Sequence, residues 1–509
     1  MRSSRLLARL LCALSAIFAV VTGAQAAEDV FRFHLGEEPW TLDPARLHGN
    51  EHSYFNSLVF TGLFKYDNQK GLIPAGAKSC ARPNTRKLVC ELNPEMKWSD
   101  GTPVLAEHYV QAYRHFVDPG VGGPDIELLL PLKNAAAILK RAAPPERLGV
   151  SAPAPRTLVF EFDTPDYDFE HKLVSMGLVP WKTLPDVNKP LEALFNGPYK
   201  IAKWERGKKV IFEPNPHYSG GHPARPKIEV VFVLEDITAL TLFENGTLGF
   251  LRRLPTMHIP KFRAHPGFTQ IPFVRFDYLG LGPELDAHPE LRKALALALD
   301  YDGLKNMLHA LGRPGCPSFP ETFMDKPRCL PYDVKAAKEA LAKVPAEVKA
   351  KTLKLAISQQ GGDDIKRQAE WFQGQWAKNL GLKIEIESFE NKVHLQNLKV
   401  APPALFRKGV TLDRPTCLAA LETFAAVNPE NYIRFKNDEY ENVLKKLNSD
   451  LPRRTKKSLC GRGMQILLDS YKAVPLGRIH FTMLLDRKFK GWTINELNQI
   501  DVSGLHVMK

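Results

Sequence analysis

Apolar and polar positions along this chain change repeatedly between a period of two and a helical period. The segment 352–358 is apolar at every second position, which predicts a strand. The segment 363–381 carries one apolar stripe and ends at Gly381, which predicts an amphipathic helix with a glycine stop. The segment 382–388 alternates again. This order predicts a parallel strand pair joined by a crossover helix.

Comparable patterns occur throughout residues 27–509. They predict strands over 30–36, 156–163, 208–218 and 227–236, helices over 236–248 and 288–312, and a helix followed by a short strand over 52–67. The segment 119–155 is rich in Gly, Pro and Ala, and we expect it at the periphery. The alternation predicts an α/β protein with more than one sheet.

The stretch "MKWSDGTPVLAEHYVQAY" (96–113) contains a tight polar turn followed by a helical pattern. Thr102 offers a hydroxyl cap and Pro103 suits the first helical position. We therefore expect a strand, a turn and a capped helix here, with no catalytic residue.

Residues 1–26 have the features of a cleaved secretory signal peptide. Arg2, Arg5 and Arg9 precede an apolar run over 10–21, and the small residues of Ala24-Gln25-Ala26 suit cleavage. We expect export to the periplasm. About 483 of the 509 residues then remain, too many for a single hydrophobic core.

The chain is basic, with a formal net charge of +13 at pH 7, or +10 without the three arginines of the signal. Such a balance fits acidic ligands or anionic surfaces, and equally an ordinary solvated surface. Because no dense basic run with interleaved aromatic residues occurs, we expect no nucleic-acid partner.

Six cysteines remain after the signal, an even number suited to an oxidising compartment. Cys80 and Cys90 flank a predicted turn and strand, and Cys316 and Cys329 bracket a Pro-rich loop. Cys417 and Cys460 are far apart in the sequence and are assigned as a disulfide only because the other four cysteines are already assigned. Two buried free thiols are the alternative. No metal-binding CxxC spacing occurs.

No signature of a catalytic or nucleotide-binding site is present: GxSxG, HExxH and GxxxxGK[ST] are all missing. His217 and His222 flank a polar loop, where solvated histidines are commoner than metal ligands. We expect a non-enzymatic protein without cofactor or metal.

Several motifs, in order, resemble those of the family-5 extracellular solute-binding proteins of ABC importers, and most closely those of its oligopeptide-binding members. They are "EPWTLDPARL" (38–47), "KWSDGTPVLAEHYVQAYRHFVDP" (97–119), "NGPYKIAKWERGKKVIFEPNPHY" (196–218), "VRFDYLGLG" (274–282), "ELRKALALALD" (290–300) and "KGW" (490–492). The resemblance covers nearly all of 28–509.

This resemblance implies a type II periplasmic binding protein fold of three discontinuous domains, with two lobes around a ligand cleft and an extra domain bracing the first lobe. The implied ranges are 27–45, 166–268 and 485–509 for lobe I, 46–165 for the bracing domain, and 269–484 for lobe II.

The resemblance also implies ligand contacts. Asp413 falls on the position of an aspartate that pairs with a peptide's α-ammonium group, and Arg407 on that of an arginine that contacts its carboxylate. A cleft that buries both ends of a peptide must supply a counter-charge for each. An exposed surface pair is the alternative for these two residues.

Other expected contacts follow from the same positions. Phe276 and Tyr278 match cleft-lining residues, with core packing as the alternative. His48 stands where relatives have a glutamate, and Arg275 and Thr411 stand where close relatives have a disulfide. The clustering of Arg275, Arg407, Lys408 and Arg414 suggests a ligand more acidic than a generic peptide, such as a peptide bearing Glu or a wall-derived fragment.

The expected function is capture of short peptides for delivery to an ABC permease in the inner membrane, by a protein that acts as a monomer. Alternatives within the family are dipeptides, metal chelates, haem, sugars and wall peptides. A further alternative is a sensor component that presents ligand to a membrane receptor.

Overall fold

The computed structural model describes residues 29–46, 50–309, 312–317, 324–325, 328–360, 362–412, 414–477 and 480–508. The expected signal peptide, His48 and Asp413 lie outside the described residues. Among the residues that are described, no helix has the length and apolar character needed to cross a membrane.

The largest sheet has seven strands. In spatial order they are Phe268–Pro272, His480–Leu485, Phe250–Leu251, Val30–Leu35, Lys227–Phe232, Lys209–Pro214 and Tyr199–Glu205. Val30–Leu35 runs parallel to both of its neighbours. Its alternating residues Phe31, Phe33 and Leu35 are buried in the core, because strand side chains point to opposite faces in turn.

A second sheet has five strands, in the order Ile384–Phe389, Leu353–Ser358, Leu405–Thr411, Arg275–Leu281 and Ala473–Pro475. The predicted strand–helix–strand unit is confirmed. Leu353–Ser358 is parallel to Ile384–Phe389, and the helix Gly362–Leu380 connects them.

A third sheet has four strands, in the order Ala77–Asn84, Lys87–Leu92, Thr157–Glu161 and Val150–Ala154. Cys80 and Cys90 face each other in the first hairpin and form a disulfide. The other two predicted disulfides are also present: Cys316–Cys329 in the Pro-rich loop, and Cys417–Cys460 between two helices.

The remaining strands of the described part of the chain form three two-stranded ladders: Phe64–Asp67 with Gly71–Pro74, Thr493–Ile494 with Ile500–Asp501, and Phe489–Lys490 with His506–Val507.

The α-helices lie between and around these sheets. They are Asn50–Val59, Ala106–Val117, Ala135–Leu139, Phe169–Lys172, Asp236–Glu244, Ile259–Phe262, Pro289–Leu297, Tyr301–Leu308, Val334–Ala342, Ala346–Lys349, Gly362–Leu380, Asn391–Val400, Cys417–Glu422, Asp438–Leu447 and Arg453–Asp469. Short 3-10 turns occupy Pro44–Arg46, Ile126–Leu129, Pro145–Arg147, Thr256–His258 and Pro283–Leu285.

The helix in the 96–113 stretch begins later than its sequence predicts. It spans Ala106–Val117 with Leu105 as its cap, rather than starting at Thr102 and Pro103. The Thr102 hydroxyl instead donates a hydrogen bond to Asp100 Oδ1 at 2.6 Å. The turn therefore uses the hydroxyl that would have capped the helix, and His108 Nδ1 accepts from the Leu105 amide at 2.9 Å in its place.

The five-stranded sheet connects to the seven-stranded sheet through two neighbouring strands, Phe268–Pro272 and His480–Leu485. These strands pair antiparallel inside the seven-stranded sheet, although most of their residues fall in the range implied for lobe II. We propose that lobe I includes both of them, so that the chain leaves lobe I after Pro272 and is back in it at His480.

Candidate functional site

A cluster of three charged residues lies on one face of the five-stranded sheet. The Asp277 carboxylate pairs with Arg275, whose Nε lies 2.5 Å from Oδ1, and with Arg407, which contacts Oδ2. The Asp277 side chain is 1% exposed and that of Arg407 is 8% exposed, whereas Arg275 keeps 29% of its side-chain surface. Two guanidinium groups thus share one buried carboxylate, and the cluster carries a net positive charge.

Strand register explains why these residues meet. In the antiparallel ladder Arg275 lies opposite Thr411, Asp277 opposite Gly409, and Leu279 opposite Arg407, so all of these positions share one face. Gly409 matters because a Cβ atom there would overlap the Asp277 carboxylate and the Arg275 guanidinium. The absent side chain makes room for the ion pairs.

The electrostatics keep Asp277 ionised. Burial by itself would raise its pKa, but Arg275 and Arg407 outweigh burial, so the pKa of this carboxyl lies below its usual range. Burial lowers the pKa of Arg407, while Asp277 opposes that change. The favoured state is therefore two cations around one anion.

The helix Gly362–Leu380 covers part of this face and extends the polar network. Gln368 Oε1 accepts a hydrogen bond from Arg407 Nε at 3.2 Å. One turn earlier, Asp364 Oδ2 accepts from the Thr256 hydroxyl at 2.5 Å. Thr256 belongs to the part of the chain built on the seven-stranded sheet, so this hydrogen bond bridges the two large sheets beside the charged cluster.

Phe276 and Tyr278 lie on the opposite face of the same strand. They are 2% and 0% exposed, their rings stack at 5.7 Å, and both pack edge-to-face against Phe424. Within the described residues the Tyr278 hydroxyl has no hydrogen-bond partner. Lys408 shares this face, where burial lowers its pKa and its ammonium group lies over the Tyr432 ring at 5.9 Å.

Arg414 has its own partners away from the first cluster. Its Nε donates to Asp168 Oδ2 at 2.5 Å, and its Nη2 donates to Glu422 Oε1 at 2.6 Å. Only 1% of this side chain is exposed. The Arg414 charge is therefore already neutralised, so this residue does not add to the cationic surplus that the sequence suggested.

The structure thus brings Arg275, Thr411 and Arg407 together on one sheet face and places Phe276 and Tyr278 on the other. Asp277 is not among the predicted site residues, although an aspartate two residues after Arg275 in an otherwise apolar strand signals a same-face pair. Gln368 and Asp168 carry no such signal, because their contacts depend on tertiary packing. Within the described ranges, no group of three or more His, Cys, Asp or Glu residues is suited to hold a metal ion.

The profile of the bacterial extracellular solute-binding proteins, family 5 Middle, matches residues 71–430. A probable deoxycholate-binding periplasmic protein, YgiS of Escherichia coli, is 24% identical over 481 residues, covering 90% of this chain and 89% of the relative. The periplasmic murein peptide-binding protein MppA of Escherichia coli is 23% identical over 492 residues, covering 92% and 91%.

The unliganded open form of the murein tripeptide-binding protein MppA superposes with a TM-score of 0.79. Its sequence identity is 21%, and the match covers 95% of this chain and 98% of that structure. The architecture is thus the three-domain periplasmic binding protein fold, with two lobes and an additional domain, as the sequence predicts.

Proposed function

Because the chain belongs to the family-5 bacterial extracellular solute-binding proteins, which are non-enzymatic components of ABC importers, we propose that it captures short peptides between its lobes. It then delivers them to an ABC permease in the inner membrane. The proposal places the mature protein in the periplasm, where relatives such as MppA act.

The observation that carries the peptide assignment is the surplus positive charge of the Arg275–Asp277–Arg407 cluster. One carboxylate cannot neutralise two guanidinium groups, and Arg275 retains accessible surface. A carboxylate at a peptide's C-terminus would complete the neutralisation by charge-assisted hydrogen bonds. Arg407, fixed by Gln368 and Asp277, would hold this end in a defined orientation.

The opposite end of the peptide needs an anion, and Asp413 is our candidate. Its two chain neighbours are both anchored: the Leu412 amide donates to the Val274 carbonyl at 3.2 Å, and Arg414 pairs with Asp168. Removing this carboxylate would leave the ammonium group unpaired in a dry cleft.

Lobe closure completes the proposed mechanism. Main-chain groups of the peptide pair with backbone at the sheet edges, and its side chains enter hydrated pockets. The Thr256–Asp364 hydrogen bond joins the lobes next to the cationic cluster. Ligand favours the closed form only in so far as it binds that form better.

Other solutes of the family remain the alternatives. The relative YgiS is named as a probable deoxycholate-binding protein. A carboxylate attached to an apolar body would also suit one cationic cluster, but it would not use the anion that we propose at Asp413. Preference for an acidic peptide now rests on Arg275, since Arg414 is paired internally and Lys408 lies on the opposite face of the sheet.

Native mass spectrometry of the freshly purified protein tests the proposal. We expect a distribution of bound masses that corresponds to short peptides and disappears on denaturation and refolding. Calorimetry with acidic, neutral and basic peptides of equal length then tests charge preference. A single non-peptide mass, together with no heat from any peptide, would overturn the peptide assignment while leaving the family intact.

A further inference from the structure

A cavity of about 620 Å³ opens where the seven-stranded sheet meets the part of the chain that carries the four-stranded sheet. The end of the helix Asn50–Val59, the hairpin 64–74, the turn 218–221 and the hairpin 493–501 form its walls. Every residue that lines it lies outside 269–484. Movement of lobe II therefore neither creates nor removes it, and its volume is that of a small-molecule site.

One wall presents a pair of opposite charges. Lys65 Nζ lies 2.7 Å from Asp501 Oδ2, and the two side chains keep 44% and 36% of their surface exposed. Burial would lower the pKa of Lys65, but Asp501 raises it above its usual value; Lys65 likewise holds the pKa of Asp501 low against the effect of burial. Both groups are charged, and the ammonium group has N–H donors beyond the one that Asp501 accepts.

Apolar residues also line this cavity. Phe60 and Ile494 belong to the core of the seven-stranded sheet, whereas Phe64 and Met96 belong to the core that includes the four-stranded sheet. The cavity thus follows a seam between two packed cores.

Hydrogen bonds hold the cavity open in a fixed shape. Asn196 accepts from the Thr61 amide at 3.0 Å and donates to the Thr61 carbonyl at 2.9 Å. On the other side, Asn495 donates to the Tyr66 carbonyl at 3.0 Å. All three hydrogen bonds link segments far apart in the chain, so the cavity walls need little further ordering when a ligand enters.

We propose that this cavity binds a small zwitterion with an apolar body, of the chemical class of the apolar α-amino acids. Its carboxylate would contact Lys65, its ammonium group Asp501, and its side chain Phe64 and Met96. A simple anion would face the Asp501 carboxylate, and a simple cation would face Lys65. A ligand whose ammonium and carboxylate groups are attached to the same carbon atom matches both partners. The site is separate from the proposed peptide cleft.

Saturation-transfer NMR on the purified protein tests this with three probes. L-phenylalanine carries both charges, N-acetyl-L-phenylalanine only the negative one, and L-phenylalanine amide only the positive one. We expect L-phenylalanine to bind at least about tenfold more tightly than either analogue, because each analogue loses one charge-assisted contact.

Substitutions inside and outside the cavity show which residues the L-phenylalanine signal depends on. Lys65→Met and Asp501→Asn should each weaken L-phenylalanine binding about tenfold or more. Lys133→Gln, at an exposed ion pair elsewhere, and Arg407→Gln, in the peptide cleft, should leave it unchanged.

Loss of binding in Arg407→Gln would assign the signal to the cleft and overturn the proposal. Binding of an analogue as tightly as L-phenylalanine, or no binding at all, would overturn it too. Thermal melts of each variant identify misfolding, and two independent cavity variants keep the test decisive.

Discussion

Arg414 donates a hydrogen bond to Asp168 at 2.5 Å although the two residues are 246 positions apart in the chain. The Thr416 hydroxyl donates to the same carboxylate oxygen at 2.6 Å. The Arg414 side chain is almost completely buried, so its charge depends on protein partners rather than on water. This pair fastens the start of the Cys417–Glu422 helix to the segment that precedes Phe169–Lys172.

Asp168→Asn should therefore destabilise the protein by about 2 to 4 kcal/mol, because Arg414 would stay buried after losing one of its anionic partners. Urea unfolding at pH 7 measures this. The matched control is Glu161→Gln, which breaks an exposed pair with Lys133 and should cost less than about 1 kcal/mol. Equal effects of the two substitutions would contradict a structural role for the buried pair.

Gly409→Ala tests whether the missing side chain makes room for the cationic cluster. The new methyl group would overlap the Asp277 carboxylate, so we expect a loss of about 1 to 3 kcal/mol of stability and weaker peptide binding. Gly374→Ala is the control: it lies within the helix Gly362–Leu380, with nothing near the added atom, and should stabilise by about 0.5 to 1 kcal/mol. The idea fails if both substitutions stabilise the protein.

Asp413→Ala should weaken peptide binding by about 2 to 5 kcal/mol, or roughly 30-fold to several thousand-fold, through loss of the proposed counter-charge. Calorimetry with a peptide identified by native mass spectrometry measures the change. Blocking the α-ammonium group by N-acetylation should weaken binding to the wild-type protein but have little further effect in the variant. Affinity close to wild type in Asp413→Ala would remove this residue from the site.

Because His34 is buried, we expect the protein to lose stability as the pH decreases. This histidine is buried in the strand Val30–Leu35, and within the described residues neither ring nitrogen has a hydrogen-bond partner. Burial, assisted by Arg252, lowers its pKa to about 3, against about 6.5 in an unfolded chain. Between these values the unfolded chain binds a proton that the folded chain does not, so stability falls as pH decreases through this range.

The His34 contribution to the slope is about 1.4 kcal/mol per pH unit within that range. His34→Leu should remove it and match or exceed wild-type stability at pH 7, because no unpartnered polar group is then buried. Urea unfolding of both proteins from pH 7 to pH 4 measures the difference. An unchanged slope would show that His34 is not the group responsible.

The pattern of apolar and polar residues predicts a helix or strand well where no second interaction competes for the same residues. The helix Gly362–Leu380 has a continuous apolar stripe and ends before Gly381, whose φ of +69° suits glycine. The helix Ala106–Val117 was placed too early because two interactions compete for the Thr102 hydroxyl. The turn at Asp100 uses that hydroxyl, and a linear pattern cannot rank the two outcomes.

The charged cluster was only partly predictable for a similar reason. Family motifs pointed to Arg275 and Arg407, but strand register supplied Asp277 and the space above Gly409. The partner of Arg414 carried no local signal at all, because Asp168 approaches it only after the domains pack. Charge counted along the sequence therefore overstated the charge available to a ligand.

The paired strands Phe268–Pro272 and His480–Leu485 make the chain between them an insert in the connectivity of the seven-stranded sheet. Pro272 and His480 are register partners, so a short reverse turn between them would close the remaining chain without reordering any strand of the seven-stranded sheet. Such a deletion is designed to leave a single-lobe protein that retains Lys65 and Asp501 but has no second lobe to close over a ligand. The chain therefore enters and leaves the capturing half through one ladder, while side-chain contacts such as Arg414–Asp168 fasten that half to the rest of the protein.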